Sequence, residues 1–489
     1  MLSTIIFAPL VGILVLLFTP RDKAAFIKVF ATAVSAVPLA LTGILWYLFD
    51  RGAAGFQFQE VFQWLPTLGI KYHLGIDGIS LPMLVLTALL TTLSLIYSWI
   101  IKERPKEYFI LFLLLEIGML GVFSALDLFL FYIFWEVSLV PMYFLIGVWG
   151  GARKEYAAIK FFLYTLAGSL AMLLSILILY FNASPHSFDL LELSKIADPR
   201  LGALVFLGFF LAFAIKVPMF PFHTWLPDAH VEAPTAGSVI LAGVLLKMGS
   251  YGFLRFSMPL LPESCKYFAV PIAILALISI IYGAFVSMAQ KDLKKLIAYS
   301  SVNHMGYVML GIAAAMAAST NLVARSTAVS GAIMQMVSHG LITGGLFLLV
   351  GVIYERTHTR QLSDYGGLAA KVPVYAGLFS FFAFGSLGLP ALSGFISEFL
   401  IFVGSFPIFP VVTGLALLGV LVTAALILYT IEKMLLGPAL PKFNLLQDAD
   451  GREIFCLAVL GVLILFLGIY PVPLLDVMGK AVSMLVGGV

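Results

Sequence analysis

The sequence predicts an all-α polytopic membrane protein. Of its 489 residues, 62% are hydrophobic and only 11% are charged, whereas about a quarter of a typical soluble domain is charged. Apolar runs of about 20 residues, the length that crosses a bilayer as a helix, recur along the whole chain. These runs are too long and alternate too little for barrel strands, so helices must satisfy their backbone groups in lipid.

We expect about fourteen transmembrane helices, joined by loops too short to hold a soluble domain. Glycines and a proline between 388 and 394 interrupt the long apolar run at 373–404, which predicts a discontinuous helix. Pro218 and Pro221, one turn apart, predict a second discontinuous helix. The expected spans are 2–20, 29–48, 80–100, 108–126, 128–149, 157–181, 202–222, 235–256, 267–287, 295–313, 329–354, 373–404, 409–435 and 453–471.

Basic residues predict the orientation of the chain, because short cytoplasmic loops collect Lys and Arg. Loops after odd-numbered spans carry eighteen of the 28 basic residues, and the opposite side carries eight. This bias predicts that both termini lie on the outer face. The eight are Arg51, Lys71, Lys195, Arg200, Arg255, Lys266, Arg325 and Lys480. The remaining two, Lys216 and Lys247, lie inside apolar runs.

Charged side chains at membrane depth are candidates for a proton path. Each costs about 2.5–3.5 kcal/mol on insertion scales, so such residues usually face a wet interior or a partner. Besides Lys216 and Lys247, three acids lie within predicted spans: Glu116, Glu136 and Glu398. The predicted helix breaks coincide with Lys216 and Glu398, and discontinuous spans mark ion sites in transporters.

A glutamate and a lysine that separate and reunite can switch a proton on and off the lysine. Burial disfavours the charged form of both groups, and the charge of the partner favours it. We expect Glu136 and Lys216 to be this pair, although a structural ion pair between helices is the alternative for either. Lys247 would pass the proton on, and Glu398 would be the outward gate.

Two histidines in the predicted tenth and eleventh spans could connect these groups. His304 and His339 could bridge Lys247 to Glu398, since imidazole titrates near neutral pH. A neutral histidine satisfied by a neighbouring hydroxyl or backbone group is the alternative for each.

Glu116 is interpreted either as an entry group or as a protonated spectator.

The segment between the predicted seventh and eighth spans is rich in polar side chains. It carries His223, Asp228, His230 and Glu232. Two histidines with two carboxylates could suggest a metal site, but the H-x(6)-H spacing with intervening prolines matches no standard zinc pattern. We therefore expect no metal here. The segment is predicted to cap the broken helix and to line a cytoplasmic entrance for protons.

The sequence lacks the motifs of common cofactor sites. Cys265 and Cys456 lie far apart, without the C-x-x-C pairs of a four-thiolate iron–sulfur cluster. No glycine-rich nucleotide-binding run is present. The net charge of +3 indicates no particular partner, and no nucleic acid is expected. We therefore predict no cofactor in this chain.

Several motifs together resemble the proton-translocating antiporter-like subunits of respiratory complex I, over essentially the whole chain. They are Phe134-Trp-Glu136 with Pro141, Ala214-Ile-Lys216-Val-Pro, His223-Thr-Trp-Leu-Pro-Asp228-Ala-His230, Leu245-Leu-Lys247-Met, Ala298-Tyr-Ser-Ser-Val-Asn-His304-Met-Gly and Gln335-Met-Val-Ser-His339-Gly. Glu398 resembles the M type of this family, because the L and N types carry Lys at that position. Gly75-Ile-Asp77 before the third span is also similar to the M type.

The resemblance implies a fold of fourteen helices with two inverted five-helix repeats, in which the two discontinuous helices are symmetry mates. The implied domains are 1–107 with the first three spans, 108–256 with the first repeat, 267–435 with the second repeat, and 436–489 with the last span. It also implies proton-translocating roles for Glu136, Lys216, Lys247 and Glu398. Glu116 lies outside the matching motifs.

The function implied is that of a proton-translocating membrane subunit of an NADH–quinone oxidoreductase in a bacterial inner membrane. L-type and N-type antiporter-like subunits would be its neighbours, and FMN, iron–sulfur clusters and quinone would bind partner subunits. The alternatives are an Mrp-type Na+/H+ antiporter subunit and the counterpart in a ferredoxin- or hydrogenase-linked complex. Glu398 disfavours the antiporter, whose members usually carry Lys there. A mere scaffold would have no use for two buried lysines.

Overall fold

A computed structural model describes residues 1–193 and 198–488. In these residues the protein is a helical bundle with one two-stranded sheet. Eleven of the described helices are long and apolar enough to cross a membrane, which confirms the predicted helical membrane fold. The count of fourteen crossings stays a prediction, and Lys195, assigned above to the outer face, lies outside the described residues.

The first half of the chain contains eight helices and the sheet. The helices are α1 (Leu2–Phe18), α2 (Ala24–Leu48), α3 (Ser80–Tyr97), α4 (Pro105–Ser124), α5 (Leu128–Trp149), α6 (Lys154–Asn182), α7 (Pro199–Lys216) and α8 (Trp225–Glu232). Strands β1 (Gln57–Leu65) and β2 (Ile70–Ile76) pair antiparallel between α2 and α3. The sequence pattern does not predict this hairpin. Its strands of nine and seven residues are much shorter than the apolar runs of about 20 residues that indicate membrane spans.

The second half begins with three segments of one continuous helix: α9 (Thr235–Ile240), α10 (Leu246–Gly252) and α11 (Met258–Leu260). The others are α12 (Pro262–Met288), α13 (Leu293–Met316), α14 (Leu322–Thr357), α15 (Pro373–Leu387), α16 (Ser393–Ser405), α17 (Pro410–Leu435), α18 (Gly451–Ile469) and α19 (Val472–Gly488). Helix α14 has 36 residues, packs on α3, α9, α13, α15, α16 and α18, and so forms the centre of the bundle. The sequence analysis did not predict α19.

The first predicted break lies between α7 and α8 and is confirmed by the structure. Helix α7 ends at Lys216, before the two prolines. The backbone freed there is satisfied from other elements, as lipid requires. The indole of Trp225 donates to the carbonyl of Ile215 (2.9 Å), and the hydroxyl of Ser279 accepts from the N–H of Phe220 (2.9 Å). Lys216 is therefore the last residue of a helix that stops within the bundle.

The second predicted break lies between α15 and α16 and is also confirmed. Gly388 follows α15 with φ of +81°, a conformation that favours glycine. A Cβ at this position would lie 3.2 Å from Oε2 of Glu398. The missing side chain of Gly388 thus leaves room for the carboxylate of Glu398, the sixth residue of α16.

The apolar run from Leu241 to Phe253 around Lys247 predicts an unbroken helix, but the structure shows a different one. Residues 241–245 and 253–257 are π-helical turns on either side of α10. Such turns bring an extra residue into the helix and often occur at functional sites. No proline or capping residue marks the first turn, whereas Pro259 lies two residues after the second.

A buried ion pair joins the segment after the hairpin to this same helix. Arg255, counted above on the outer side, lies in the second π-helical turn, where its guanidinium bonds Asp77 (2.5 Å), Ser80 (3.0 Å) and the hydroxyl of Tyr251 (3.0 Å). Burial alone would raise the pKa of Asp77, but the guanidinium of Arg255 and the N–H groups of Ser80 and Ile79 hold it below its usual value.

We expect Asp77→Asn to destabilise the fold by about 3 kcal/mol, because removing one partner leaves a buried guanidinium without its counter-charge. The pKa of Asp77 is lower in the folded chain than in the unfolded one, so its stabilisation is present at neutral pH and is lost as the pH falls through the folded pKa. Thermal unfolding of the purified protein measures the effect. Asp476→Asn is the control, since this exposed carboxylate lies 4.0 Å from Arg51; equal losses in both variants would contradict the prediction.

Candidate functional site

Lys247 and His339 form the best-defined contact among the buried ionisable groups. The Nζ of Lys247 lies 2.7 Å from Nδ1 of His339 on α14. It also donates to the carbonyl of Ala242, which belongs to the π-helical turn before α10. The lysine is completely buried. The π-helical turn and α14 therefore hold this ammonium in place, and one hydrogen bond connects it to an imidazole.

A second contact joins His304 to Glu398. Nδ1 of His304 lies 3.3 Å from Oε1 of Glu398, and Nε2 lies 3.0 Å from the hydroxyl of Ser386. The ring centroids of His304 and His339 are 5.7 Å apart. A cavity of about 10 Å³ lies among these side chains, which is close to the space that one water molecule needs.

The structure thus brings Lys247, His339, His304 and Glu398 together in one file. Proton transfer needs heavy atoms about 2.6–3.2 Å apart, or one intervening water. The contact of Lys247 with His339 is within that distance, whereas Nδ1 of His304 and Oε1 of Glu398 are 3.3 Å apart without a hydrogen bond between them. The central step between the histidines requires a water or a change of rotamer. This is the order that the relay hypothesis requires, and the roles stay predictions.

Lys216 lies between aromatic rings rather than in an ion pair. Its Nζ is 5.2 Å from the ring centroid of Trp135 and 5.8 Å from that of Phe161, distances at which ring faces attract a cation. The ammonium is buried and makes no hydrogen bond to the described residues. The carboxylate of Glu136 acts on it electrostatically but is not among its ion-pair partners within 4.0 Å in those residues. The expected pair is therefore separated in this structure.

Glu136 itself is half-buried on α5, directly after Trp135. Its Oε1 is buried and accepts no hydrogen bond from the part of the chain described. Charge-assisted hydrogen bonds are the strong ones, so a carboxylate without one is free to change partner. This freedom is what a switching residue needs.

The predicted entrance residues divide into two kinds. Asp228 is held by ion pairs to Arg153 (3.1 Å) and Lys160 (2.7 Å), and Glu232 accepts from the N–H of Arg153 (2.9 Å). These carboxylates fix α8 against the start of α6. Glu232 also lines a cleft of about 380 Å³, together with residues of α9, α13 and α14.

The two histidines of this segment are buried within the bundle. His230 stacks on Phe347, with centroids 4.6 Å apart, and His223 lies 5.0 Å from the ring of Tyr282. Neither imidazole makes a ring-nitrogen hydrogen bond to the residues that the structure covers. Two lysines act electrostatically on His230: Lys294, which lines the cleft, and Lys247, which belongs to the file. Lys294 is not predicted as a functional residue, because in the sequence it is one of three lysines in a basic loop.

Glu116 lies away from these groups. Its Oε1 accepts from the hydroxyl of Ser35 on α2 (3.1 Å), which lies 3.3 Å from the hydroxyl of Thr92 on α3. Its contacts are thus with hydroxyls, and the structure does not bring it together with the lysines.

The residues described hold no group of three or more His, Cys, Asp or Glu side chains suited to a metal ion.

Residues 125–426 match the family described as NADH:quinone oxidoreductase/Mrp antiporter, TM. The chain is 44% identical over 492 residues to NADH-quinone oxidoreductase subunit M of Rickettsia conorii, covering 99% of this chain and 98% of the relative. It is 44% identical to NADH-ubiquinone oxidoreductase chain 4 of Arabidopsis thaliana, with 99% and 97% covered. It is also similar to a chain of respiratory complex I from Thermus thermophilus with bound NADH, with a TM-score of 0.87, 32% identity and 100% of both chains covered.

Proposed function

The chain belongs to the NADH:quinone oxidoreductase/Mrp antiporter family, as a membrane subunit of NADH-quinone oxidoreductase, and we propose that it moves protons through the buried side chains described above. The observation that carries the proposal is the pair of contacts from Lys247 to His339 and from His304 to Glu398. Groups that can hold and release a proton at these distances form a path, whereas a scaffold would gain nothing from burying them.

Glu136 and Lys216 are proposed to load the path. While the carboxylate is near, its charge favours the protonated lysine. When Glu136 turns to another partner, the ammonium is left between two rings without a counter-charge, and it releases its proton toward Lys247. The separated arrangement in this structure supports the second state. The energy would come from quinone reduction elsewhere in the complex.

Protons are proposed to enter near α8 and to leave beyond Glu398. Glu232 and the cleft beside it would attract protons on the cytoplasmic side, and Asp228 and His223 would belong to the same entrance. His230 would pass the protons inward. Both termini would then lie on the outer side of a bacterial inner membrane, as the distribution of Lys and Arg predicts.

The proposal includes the neighbours and the internal symmetry of the chain. L-type and N-type subunits would flank it, and FMN, iron–sulfur clusters and quinone would bind partner subunits. The breaks after α7 and α15 would be equivalent positions of two inverted repeats, 108–256 and 267–435. Glu398 and the full-length relatives named as subunit M favour this function over that of an Mrp antiporter subunit.

We expect Lys216→Ala, measured in the intact complex reconstituted into vesicles, to lower proton pumping and coupled turnover by about tenfold, because the switching cation is gone. Glu136→Gln keeps the shape of the side chain and removes its charge, so it should act in the same direction. Lys266→Ala is the control, since this lysine forms an exposed pair with Glu263. Full pumping by an assembled Lys216→Ala complex would refute the proposed role.

A further inference from the structure

The tyrosine after the His304–Glu398 contact has a buried hydroxyl without a well-formed hydrogen bond in the described residues. Tyr307 lies one turn beyond His304 on α13, and its ring is 6.2 Å from that of His304 and 5.5 Å from that of Phe402. The side chain is 1% exposed, and its hydroxyl makes no hydrogen bond to the described residues. The carboxylate of Glu398 acts on this hydroxyl electrostatically, and the side-chain amide of Asn303, one turn earlier on α13, is its polar neighbour.

Helix α17 leaves space for this hydroxyl. A Cβ at Gly419 would lie 2.9 Å from the Tyr307 hydroxyl and 3.4 Å from Nδ2 of Asn303. That amide nitrogen donates to the carbonyl of Ile280 (2.9 Å), while the amide oxygen is buried without a partner among the residues described. The Tyr307 hydroxyl and the Asn303 amide therefore lie beside each other at one glycine-lined gap, without a well-formed hydrogen bond between them. Buried polar groups are nearly always paired, so each exception calls for an explanation, such as a bound water or a chemical role.

Packing does not explain the hydroxyl. Phenylalanine would fill the same ring site and would leave no buried oxygen without a partner. Helix α13 begins at the predicted cytoplasmic loop and runs outward, so Tyr307 lies on the outer side of His304. Its hydroxyl is thus a buried titratable group one turn beyond His304 in the outward direction.

We propose that Tyr307 is the relay through which the proton leaves Glu398 toward the outer face. This inference rests on the proposed function and adds to it the residue that completes the exit. The carboxyl of Glu398 gives its proton to the phenol oxygen, directly or across one water, while the phenol gives its own proton to the next acceptor outward. One O–H bond forms on that oxygen and one breaks, so Tyr307 stays neutral and Glu398 becomes ionised, ready for a proton from His304.

Two further hydroxyls lie outward of Tyr307 on the neighbouring helices. Ser405 is two turns beyond Glu398 on the same face of α16, and Thr413 is on the buried face of α17 between Gly419 and the start of that helix. Both hydroxyl oxygens are buried, without a hydrogen-bond partner in the chain as described. They are the candidate acceptors of the proton that Tyr307 releases, through water.

The test is Tyr307→Phe in the intact complex in vesicles, with Tyr375→Phe as the matched control. Tyr375 on α15 is as buried as Tyr307, and its hydroxyl also has no partner within the described residues. We expect Tyr307→Phe to slow proton pumping about fivefold and to raise the D2O isotope effect on pumping, because proton release becomes the slow step. The control should change neither quantity. A purely structural role would leave the isotope effect unchanged.

Normal pumping and a normal isotope effect in Tyr307→Phe would overturn the inference, and so would equal losses in both tyrosine variants. If Glu398→Gln also pumped normally, the proposed function itself would fail. If Glu398→Gln stopped pumping and Tyr307→Phe did not, only the relay would be lost. Should Tyr307→Phe not assemble, Gly419→Ala carries the test, because its methyl group crowds the hydroxyl from α17 and should also slow pumping; normal pumping by that variant would overturn the relay.

Discussion

Replacing Lys247 by alanine is expected to reduce proton pumping by at least tenfold, to about the background level, in a complex that still assembles. Lys247 is the end of the file that continues through His339, and its Nζ is 2.7 Å from the imidazole. Alanine leaves a gap of several ångströms at that point, far beyond the roughly 2.6–3.2 Å that a direct proton transfer needs. A tenfold loss corresponds to about 1.4 kcal/mol on the barrier. Proton uptake by vesicles during NADH oxidation measures this loss of pumping.

Lys247→Arg separates the charge of the side chain from its proton chemistry. Arginine keeps the positive charge and can still bond the carbonyl of Ala242, but it cannot be deprotonated in a protein. We therefore expect Lys247→Arg to pump as poorly as Lys247→Ala. Full pumping by the arginine variant would mean that the position needs only a fixed charge, and the relay through His339 would have to be abandoned.

Glu398→Gln is expected to have the second largest effect, again about tenfold on pumping. The amide fills the same space beside Gly388, but it cannot take a proton from His304 and pass it on. Because the substitution removes no packing, the amount of assembled complex should change little. Pumping and quinone reduction, measured on the same vesicles, show whether the proton step or the assembly is affected.

The control for Glu398→Gln is Glu432→Gln. Glu432 is an exposed acid near the end of α17, so the same chemical change there removes a solvated charge that no buried group depends on. Its pumping should equal that of the unchanged complex. Comparable losses in the two variants would indicate a general effect of lost negative charge and would argue against Glu398 as a member of the file.

The breaks in the helices were predictable because the residues that cause them act locally. Pro218 and Pro221 cannot continue α7, and Gly388 favours the left-handed turn after α15. The π-helical turns beside α10 and the β1–β2 hairpin were not predicted. A π-helical turn depends on packing around it rather than on a particular residue type, and the short strands have no apolar run of membrane-spanning length.

The candidate site was predictable as a set of residues but not as a set of contacts. A lysine inside an apolar run, such as Lys216 or Lys247, is conspicuous because lipid makes it costly. Which group each one bonds depends on how distant helices pack, so the contact of Lys247 with His339 and the rings around Lys216 emerged only from the structure. The ion pair of Arg255 with Asp77 likewise emerged only from the structure, since the count of basic residues gives the side of the membrane but not the partner.

The most direct test of the account is a density map of the assembled complex at a resolution that shows ordered water. The account predicts water within hydrogen-bond distance of both imidazoles in the cavity between His339 and Glu398, and a second chain of water joining Lys216 to Lys247. It also predicts that Glu136 is found near Lys216 in some states and apart from it in others. A dry, closely packed gap between the two lysines in every state of the working complex would contradict it.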